Sequence, residues 1–284
     1  MTLAIIGSGA SQGIPAFLCN CTGCRRARRV RGREIRQNAC ALVTSRTGKS
    51  LLIDMPPQIK MAWDGLQFDH ECLLGVLVTH RHEDHTLGLK YLRDVDPRNG
   101  VKDAHPIQLW LPEEVQQSWF PRDSRAAEPL APSPRGSAID VRVVESARAF
   151  TLGPFRVTPV ETWHLRTAAV GDLRGTSFGY LIEDADGKRL AYMVDSPAQL
   201  PERTLELLSA RRLDCLVFEC TFAHGQSPDQ HTDLEGLRAV HQCLRPRLMI
   251  ATHFSHQNVG HRALRRLLSR QGIRAAFDGM RVKF

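Results

Sequence analysis

Short, almost wholly apolar runs recur along the chain at residues 3–6, 39–43, 50–53, 75–78, 107–111, 139–144, 155–160, 190–194, 213–218 and 248–252. Runs this short, rich in Val, Ile and Leu, predict strands covered on both faces rather than the alternating strands of a half-solvated sheet. Residues 85–92 follow a helical spacing instead. Between 120 and 138, prolines, arginines, serines and alanines displace both rhythms, which predicts an irregular surface excursion rather than a domain boundary. No internal repeat or low-complexity stretch interrupts the pattern, so one α/β domain over residues 1–284 is expected.

The polar residues that close these runs carry the chemistry. The run at 75–78 opens directly into Thr79-His80-Arg81-His82-Glu83-Asp84-His85, where four metal-ligand side chains, His80, His82, Asp84 and His85, fall within six positions. A tight loop at a strand end can converge His80 and His82 on one ion and turn Asp84 and His85 towards a second. Single candidates close other runs: Asp54, His164, Asp195, Glu219 and His253. One histidine behind a strand means little, but the same placement repeated behind a dense metal loop predicts that these distant residues meet at one site. Asp54 is expected to orient a ligand histidine through its non-coordinating nitrogen.

A second cluster, Cys19-Asn20-Cys21-Thr22-Gly23-Cys24, follows a glycine-rich turn at 7–15. Its three thiolates favour zinc but leave a tetrahedron one ligand short, so a residue from elsewhere must close a structural site. The glycine turn lacks both Gly-x-Gly-x-x-Gly and a following Lys-Ser or Lys-Thr, which argues against a nucleotide loop. Cys40, Cys72, Cys215, Cys220 and Cys243 are scattered and read as small core residues.

Composition adds one feature. A net charge of +8 in 284 residues comes mainly from arginine, with a dense patch at Arg25, Arg26, Arg28, Arg29, Arg31, Arg33 and Arg36. Such a patch attracts phosphate or nucleic acid, or is the solvated face of a helix; the lack of interleaved aromatic residues favours the second reading. No apolar run reaches bilayer length and the first residues do not resemble a signal peptide, so a cytoplasmic enzyme without a membrane partner is expected.

With His80-x-His82-x-Asp84-His85 followed by His164, Asp195 and His253, the sequence resembles the metallo-β-lactamase superfamily over nearly its whole length. The resemblance implies an αββα sandwich of two central mixed sheets flanked by helices, with a dinuclear centre at one edge. It implies two divalent ions, zinc or manganese: His80, His82 and His164 on one, Asp84, His85 and His253 on the other, and Asp195 bridging. Cys19-x-Cys21-x-x-Cys24, His231-Thr232-Asp233-Leu234, Thr252-His253-Phe254-Ser255-His256-Gln257 and Phe277-Asp278-Gly279-Met280 further resemble the phosphoribosyl cyclic phosphodiesterase family of the carbon-phosphorus lyase pathway. From that family come a structural zinc held by the three cysteines and His256, and a catalytic histidine outside the metal shell at His231.

Two departures are visible. Asp54-Met55-Pro56-Pro57 is similar instead to the pyrroloquinoline-quinone biosynthesis branch, and residues 165–176 are longer than in the cyclic phosphodiesterases. Arg166 and Arg174 in that segment can clamp a phosphate or stand solvated. The expected reaction is hydrolysis of a small, cyclic phosphodiester, with Asp84 and His231 assisting. RNA cleavage like that of the superfamily's tRNA-processing members and a cofactor-maturation hydrolase are the rivals. A small-molecule substrate is the expected partner, nucleic acid a less favoured one, and a homodimer is left open.

Overall fold

The computed structural model describes residues 1–66, 68–95, 106–119, 139–164, 177–226 and 229–284. The ten apolar runs and four further strands form, among the described residues, two seven-stranded sheets. The first has the order β14-β1-β2-β3-β4-β5-β6, with β1 Thr2–Gly7, β2 Cys40–Thr44, β3 Ser50–Ile53, β4 Leu73–Leu77, β5 Ile107–Leu111, β6 Ile139–Val143 and β14 Met280–Lys283. The second has the order β13-β12-β11-β10-β9-β8-β7, with β7 Phe150–Leu152, β8 Phe155–Glu161, β9 Phe178–Asp184, β10 Arg189–Met193, β11 Cys215–Glu219, β12 Leu248–Thr252 and β13 Ile273–Ala275.

Each sheet repeats one scheme. Pairing is antiparallel from β14 through β3 and parallel from β3 through β6; likewise it is antiparallel from β7 through β10 and parallel from β10 through β13. Leu3, Ile5, Leu51, Ile53 and Leu77 of the first sheet share one buried cluster with Phe155, Tyr180, Tyr192, Met193 and Val217 of the second. Parallel strands covered on both faces need apolar residues at every position, which is why the runs do not alternate.

Helices cover the outer faces. Helix α2 Ile59–Asp64 packs against the first sheet through Ile59, and α4 Glu113–Trp119 through Val115. Helices α5 Glu202–Ser209, α6 Leu234–Leu244 and α7 His261–Ser269 bury Leu208, Leu237, Val240, Leu264 and Leu268 against the second sheet. Two short helices bear on the site, α1 Thr22–Val30 and α3 Glu83–Thr86. Among the described residues no helix is long and apolar enough to cross a membrane.

Several expectations are corrected. The helical spacing at 85–92 resolves into the single turn of α3 and then a 3-10 helix, Leu87–Val95. A Cβ at Gly88 would come within 2.5 Å of the Pro56 carbonyl, so the chain passes too close there for an ordinary helical residue. Cys243 is exposed and Cys72 half-buried, so only Cys40, Cys215 and Cys220 of the scattered cysteines are core residues. Arg36 leaves the surface patch: it is buried, donating to Ser8 Oγ at 2.7 Å and the Ala276 carbonyl at 2.8 Å. The 120–138 excursion, Arg166 and Arg174 lie outside the described residues.

Candidate metal centre

The candidate residues project from the turns that follow the C-terminal ends of strands β3, β4, β8, β10 and β12. Three of those turns start with a non-glycine residue at positive φ: Asp54 at 64°, Asp195 at 48° and His253 at 57°. Left-handed backbone costs such residues about 1 kcal/mol or more, and it persists where surrounding structure over-determines it, typically at functional sites. Here the turns are pinned: Asp54 N–H donates to Leu77 O at 2.8 Å, Thr162 Oγ1 to Asp195 O at 3.1 Å, and Phe254 N–H to Ser8 O at 3.0 Å.

His80 and His82 come from the β4 turn and His164 from the turn after β8. His82 Nδ1 lies 2.9 Å from His80 Nε2 and 3.2 Å from His164 Nε2. Two nitrogens on one tetrahedral zinc ion stand about 3.3 Å apart, so the trio has the dimensions of one coordination shell. Burial holds His80 well below, and His82 down to about 4 against, the ordinary histidine range, which keeps both imidazoles neutral and able to ligate.

The second group gathers around Asp195. Its Oδ2 lies 2.9 Å from His85 Nε2 and 3.1 Å from His253 Nε2, and its Oδ1 3.5 Å from His164 Nε2. Asp84 Oδ2 approaches His85 Nε2 at 3.2 Å. Although His85 Nε2, Asp195 Oδ2 and His253 Nε2 are buried and close, none makes a directed hydrogen bond. Buried polar atoms that converge without pairing have the arrangement of ligands around a common cation, and the histidine and carboxylate donors suit zinc or manganese. Asp195 turns one oxygen towards His164 and the other towards the His85/His253 pair.

Behind these atoms lies a second layer. Asp54, buried, accepts from Thr79 N–H at 2.8 Å, from Thr79 Oγ1 at 3.0 Å and from His85 Nδ1 at 2.7 Å. His164 Nδ1 donates to the Gln230 carbonyl at 3.0 Å, which leaves Nε2 for the site. Glu219, one of the single candidates the sequence places at a strand end, is fully buried and accepts from Ser196 N–H, Thr221 Oγ1 and, at 3.1 Å, His231 Nδ1. Burial would lower the His231 pKa, but the Glu219 carboxylate outweighs it and raises it above the ordinary value. Asp233 caps α6 by accepting from Glu235 and Gly236 N–H, so His231 is not the cap of that helix.

The cysteine cluster closes as a separate clasp. His256 Nδ1 stands 3.4 Å from Cys19 Sγ, 3.5 Å from Cys21 Sγ and 3.6 Å from Cys24 Sγ. A sulfur and a nitrogen on one tetrahedral zinc lie about 3.5 Å apart, and near-equal distances to three thiols cannot all be served by one N–H, so this donor set also fits a cation. The N–H groups of Cys24 and Ala16 point at Cys21 Sγ and Cys24 Sγ. The Cys24 N–H holds the Cys21 thiol down to about 6, against the burial that raises it, while burial pushes Cys24 up to about 11. Gly23 is required for closure, because a Cβ there would lie 2.6 Å from the His256 carbonyl oxygen.

The family model described as the beta-lactamase superfamily domain matches residues 66–254, more than half of the chain. The chain belongs to this family. Its two sheets with flanking helices are the αββα sandwich of the metallo-β-lactamase fold, a fold of metal-dependent hydrolases. Coenzyme PQQ synthesis protein B of Nitrosococcus oceani is 23% identical, with 99% of each chain covered. A new diphosphatase from the PhnP family, known from its crystal structure, is 25% identical with a TM-score of 0.75, covering 100% of this chain and 96% of that one. Zinc-bound PqqB from Methylobacterium extorquens has a TM-score of 0.80 at 21% identity, with both chains covered in full. The resemblance to the cyclic phosphodiesterase branch read from the motifs is thus met by a structure of the PhnP family.

Proposed function

We propose that this superfamily member is a metal-dependent phosphodiesterase that hydrolyses a small, cyclic or linear phosphodiester such as a ribose cyclic phosphate. The observation that carries this reading is the full donor set, His80, His82, Asp84, His85, His164, Asp195 and His253, gathered at one edge beside His231. His80, His82 and His164 would hold one divalent ion, Asp84, His85 and His253 the other, and Asp195 would be shared. When bound, the two ions supply Lewis-acid polarisation of a phosphoryl oxygen and an acidified water.

The chain's own residues do the rest. Asp84, half-buried with one oxygen turned to His85, can accept a proton from the attacking water. His231 is held by Glu219 through Nδ1, which leaves Nε2 to donate to the departing oxygen of the substrate. The clasp of Cys19, Cys21, Cys24 and His256 would take a structural zinc that fixes the turn beginning at His253.

A second reading is favoured by one observation, the end-to-end similarity to coenzyme PQQ synthesis protein B, with Asp54-Met55-Pro56-Pro57 as the local counterpart. Under it the same centre would serve maturation of a cofactor or peptide. Cleavage of RNA ranks below both: beyond the general likeness to the superfamily's tRNA-processing members its support is the arginine patch, and Arg36 is buried away from that patch. Turnover of bis(p-nitrophenyl) phosphate and ribose cyclic phosphates by zinc- or manganese-loaded protein tests the first reading. Metal-replete protein that turns over none of them would favour the cofactor-maturation reading.

A further inference from the structure

Two threonines join the histidines of the centre to its buried carboxylates. Thr79 Oγ1 lies 3.0 Å from both Asp54 oxygens and 2.9 Å from His80 Nδ1. Thr221 Oγ1 contacts Glu219 Oε2 and lies 2.9 Å from His253 Nδ1. Both threonines are buried, and each connection crosses a parallel strand pair, β3 with β4 in one sheet and β11 with β12 in the other.

The direction of these hydrogen bonds is forced. A hydroxyl carries one proton, and an ionised carboxylate only accepts. Were the hydroxyl proton turned to the imidazole, hydroxyl and carboxylate oxygens would face each other through lone pairs at hydrogen-bond distance in a buried site, a repulsive contact with no proton between them. The proton therefore goes to the carboxylate, and the hydroxyl oxygen accepts from the imidazole Nδ1–H. With Nδ1 protonated, Nε2 keeps its lone pair, and Nε2 is the atom that His80 turns to His82 and that His253 turns to Asp195. His85, by contrast, reaches Asp54 directly.

We propose that Thr79 and Thr221 are paired positioning residues that set the tautomers of His80 and His253 and so prepare each for one of the two cations. The inference rests on the metal-centre reading above and adds residues that the ligand set does not contain. Each threonine serves a different ion: Thr79 the one with His80, His82 and His164, Thr221 the one with Asp84, His85 and His253.

The test is stepwise zinc titration of metal-free, folded protein against a chromophoric chelator, for wild type, Thr79→Val, Thr221→Val and the corresponding Ser variants. Valine keeps the shape and removes the hydroxyl. Loss of an outer hydrogen-bonding partner weakens metal binding about 10- to 100-fold, and each valine is expected to do so at one reactive zinc only, with serine restoring it. Long-range nitrogen–proton NMR of the zinc-loaded wild type should show His80 and His253 protonated at Nδ1. If Thr79→Val fails to fold, the Thr221 pair and the NMR spectrum decide. Wild-type zinc affinity in Thr221→Val, or an Nε2–H signal from His253 in the zinc-loaded wild type, would overturn the relay while leaving the metal centre standing. A wild type that takes up no zinc at its histidines would remove the centre itself.

Discussion

His253 and His256 lie three residues apart on one turn and face different clusters, His253 Nε2 being 3.1 Å from Asp195 Oδ2 and His256 Nδ1 3.4–3.6 Å from three thiols. The buried Phe254 between them is fastened to the turn that follows β1, its N–H donating to Ser8 O and its carbonyl accepting from Ala10 N–H, both at 3.0 Å. A disturbance of the clasp therefore has a short, stiff path to the reactive centre. Gly23→Ala, which drives a Cβ into the His256 carbonyl, is expected to lose the clasp zinc, lower the melting temperature and weaken retention of the ion at His253. Elemental analysis with thermal melting checks this. Loss of the clasp zinc with full retention of the ion at His253 would separate clasp from centre.

Asp195 reaches with its two oxygens toward histidines of both groups, so under the proposed reading both ions would depend on it. Asp195→Ala should leave the sandwich folded, release at least one ion, and cut kcat/KM for a phosphodiester by about 10³-fold or more, the equivalent of several kcal/mol of charge stabilisation. Circular dichroism, metal content and steady-state rates read these outcomes separately.

His231 is expected to matter in proportion to how badly the leaving group needs a proton. For a sugar alkoxide, His231→Ala should cost about 10²- to 10⁴-fold in kcat, whereas for p-nitrophenolate, which leaves unprotonated near neutral pH, the loss should be far smaller. Glu219→Gln, which keeps the shape but removes the charge facing His231 Nδ1, should show the same ordering with smaller losses. Equal losses on both substrates would place His231 in binding rather than proton transfer.

Away from the centre, Asp214 ties β10 to β11. Burial raises its carboxyl pKa, but the Arg189 N–H at 3.0 Å and Lys188 Nζ at 3.1 Å prevail and hold it below the usual range. A depressed folded value stabilises the protein above the unfolded carboxyl value of about 3.9, and that increment disappears as pH falls through the folded value. Asp214→Asn should lower unfolding free energy by about 1 kcal/mol at neutral pH, with the gap to wild type closing at acidic pH, as urea unfolding at several pH values would read.

The strand ends were legible in the sequence because residue type and placement coincide there: apolar runs become two-faced strands, and His80, Asp195 and His253 each follow one. The closing ligand of the clasp and the place of His231 came only from family resemblance, since nothing in local spacing links Cys19 to His256 or His231 to Glu219. The second layer was mostly invisible. Thr79 and Thr221 are ordinary strand-end threonines until strand pairing sets them against Asp54, Glu219 and the histidines, and the shared pairing scheme of the two sheets leaves no internal sequence repeat. Arg36 shows the opposite failure, a residue grouped by sequence with a surface patch and drawn inward by Ser8, Ala276 and His261.

The most direct test is turnover of a ribose cyclic phosphate by purified, manganese- or zinc-loaded protein, followed by phosphorus NMR beside the Asp195→Ala variant. Conversion to the ring-opened phosphate monoester by wild type and its loss in the variant is the predicted result. Metal-replete wild type that leaves both this substrate and bis(p-nitrophenyl) phosphate untouched would contradict the assignment of the centre to phosphodiester hydrolysis.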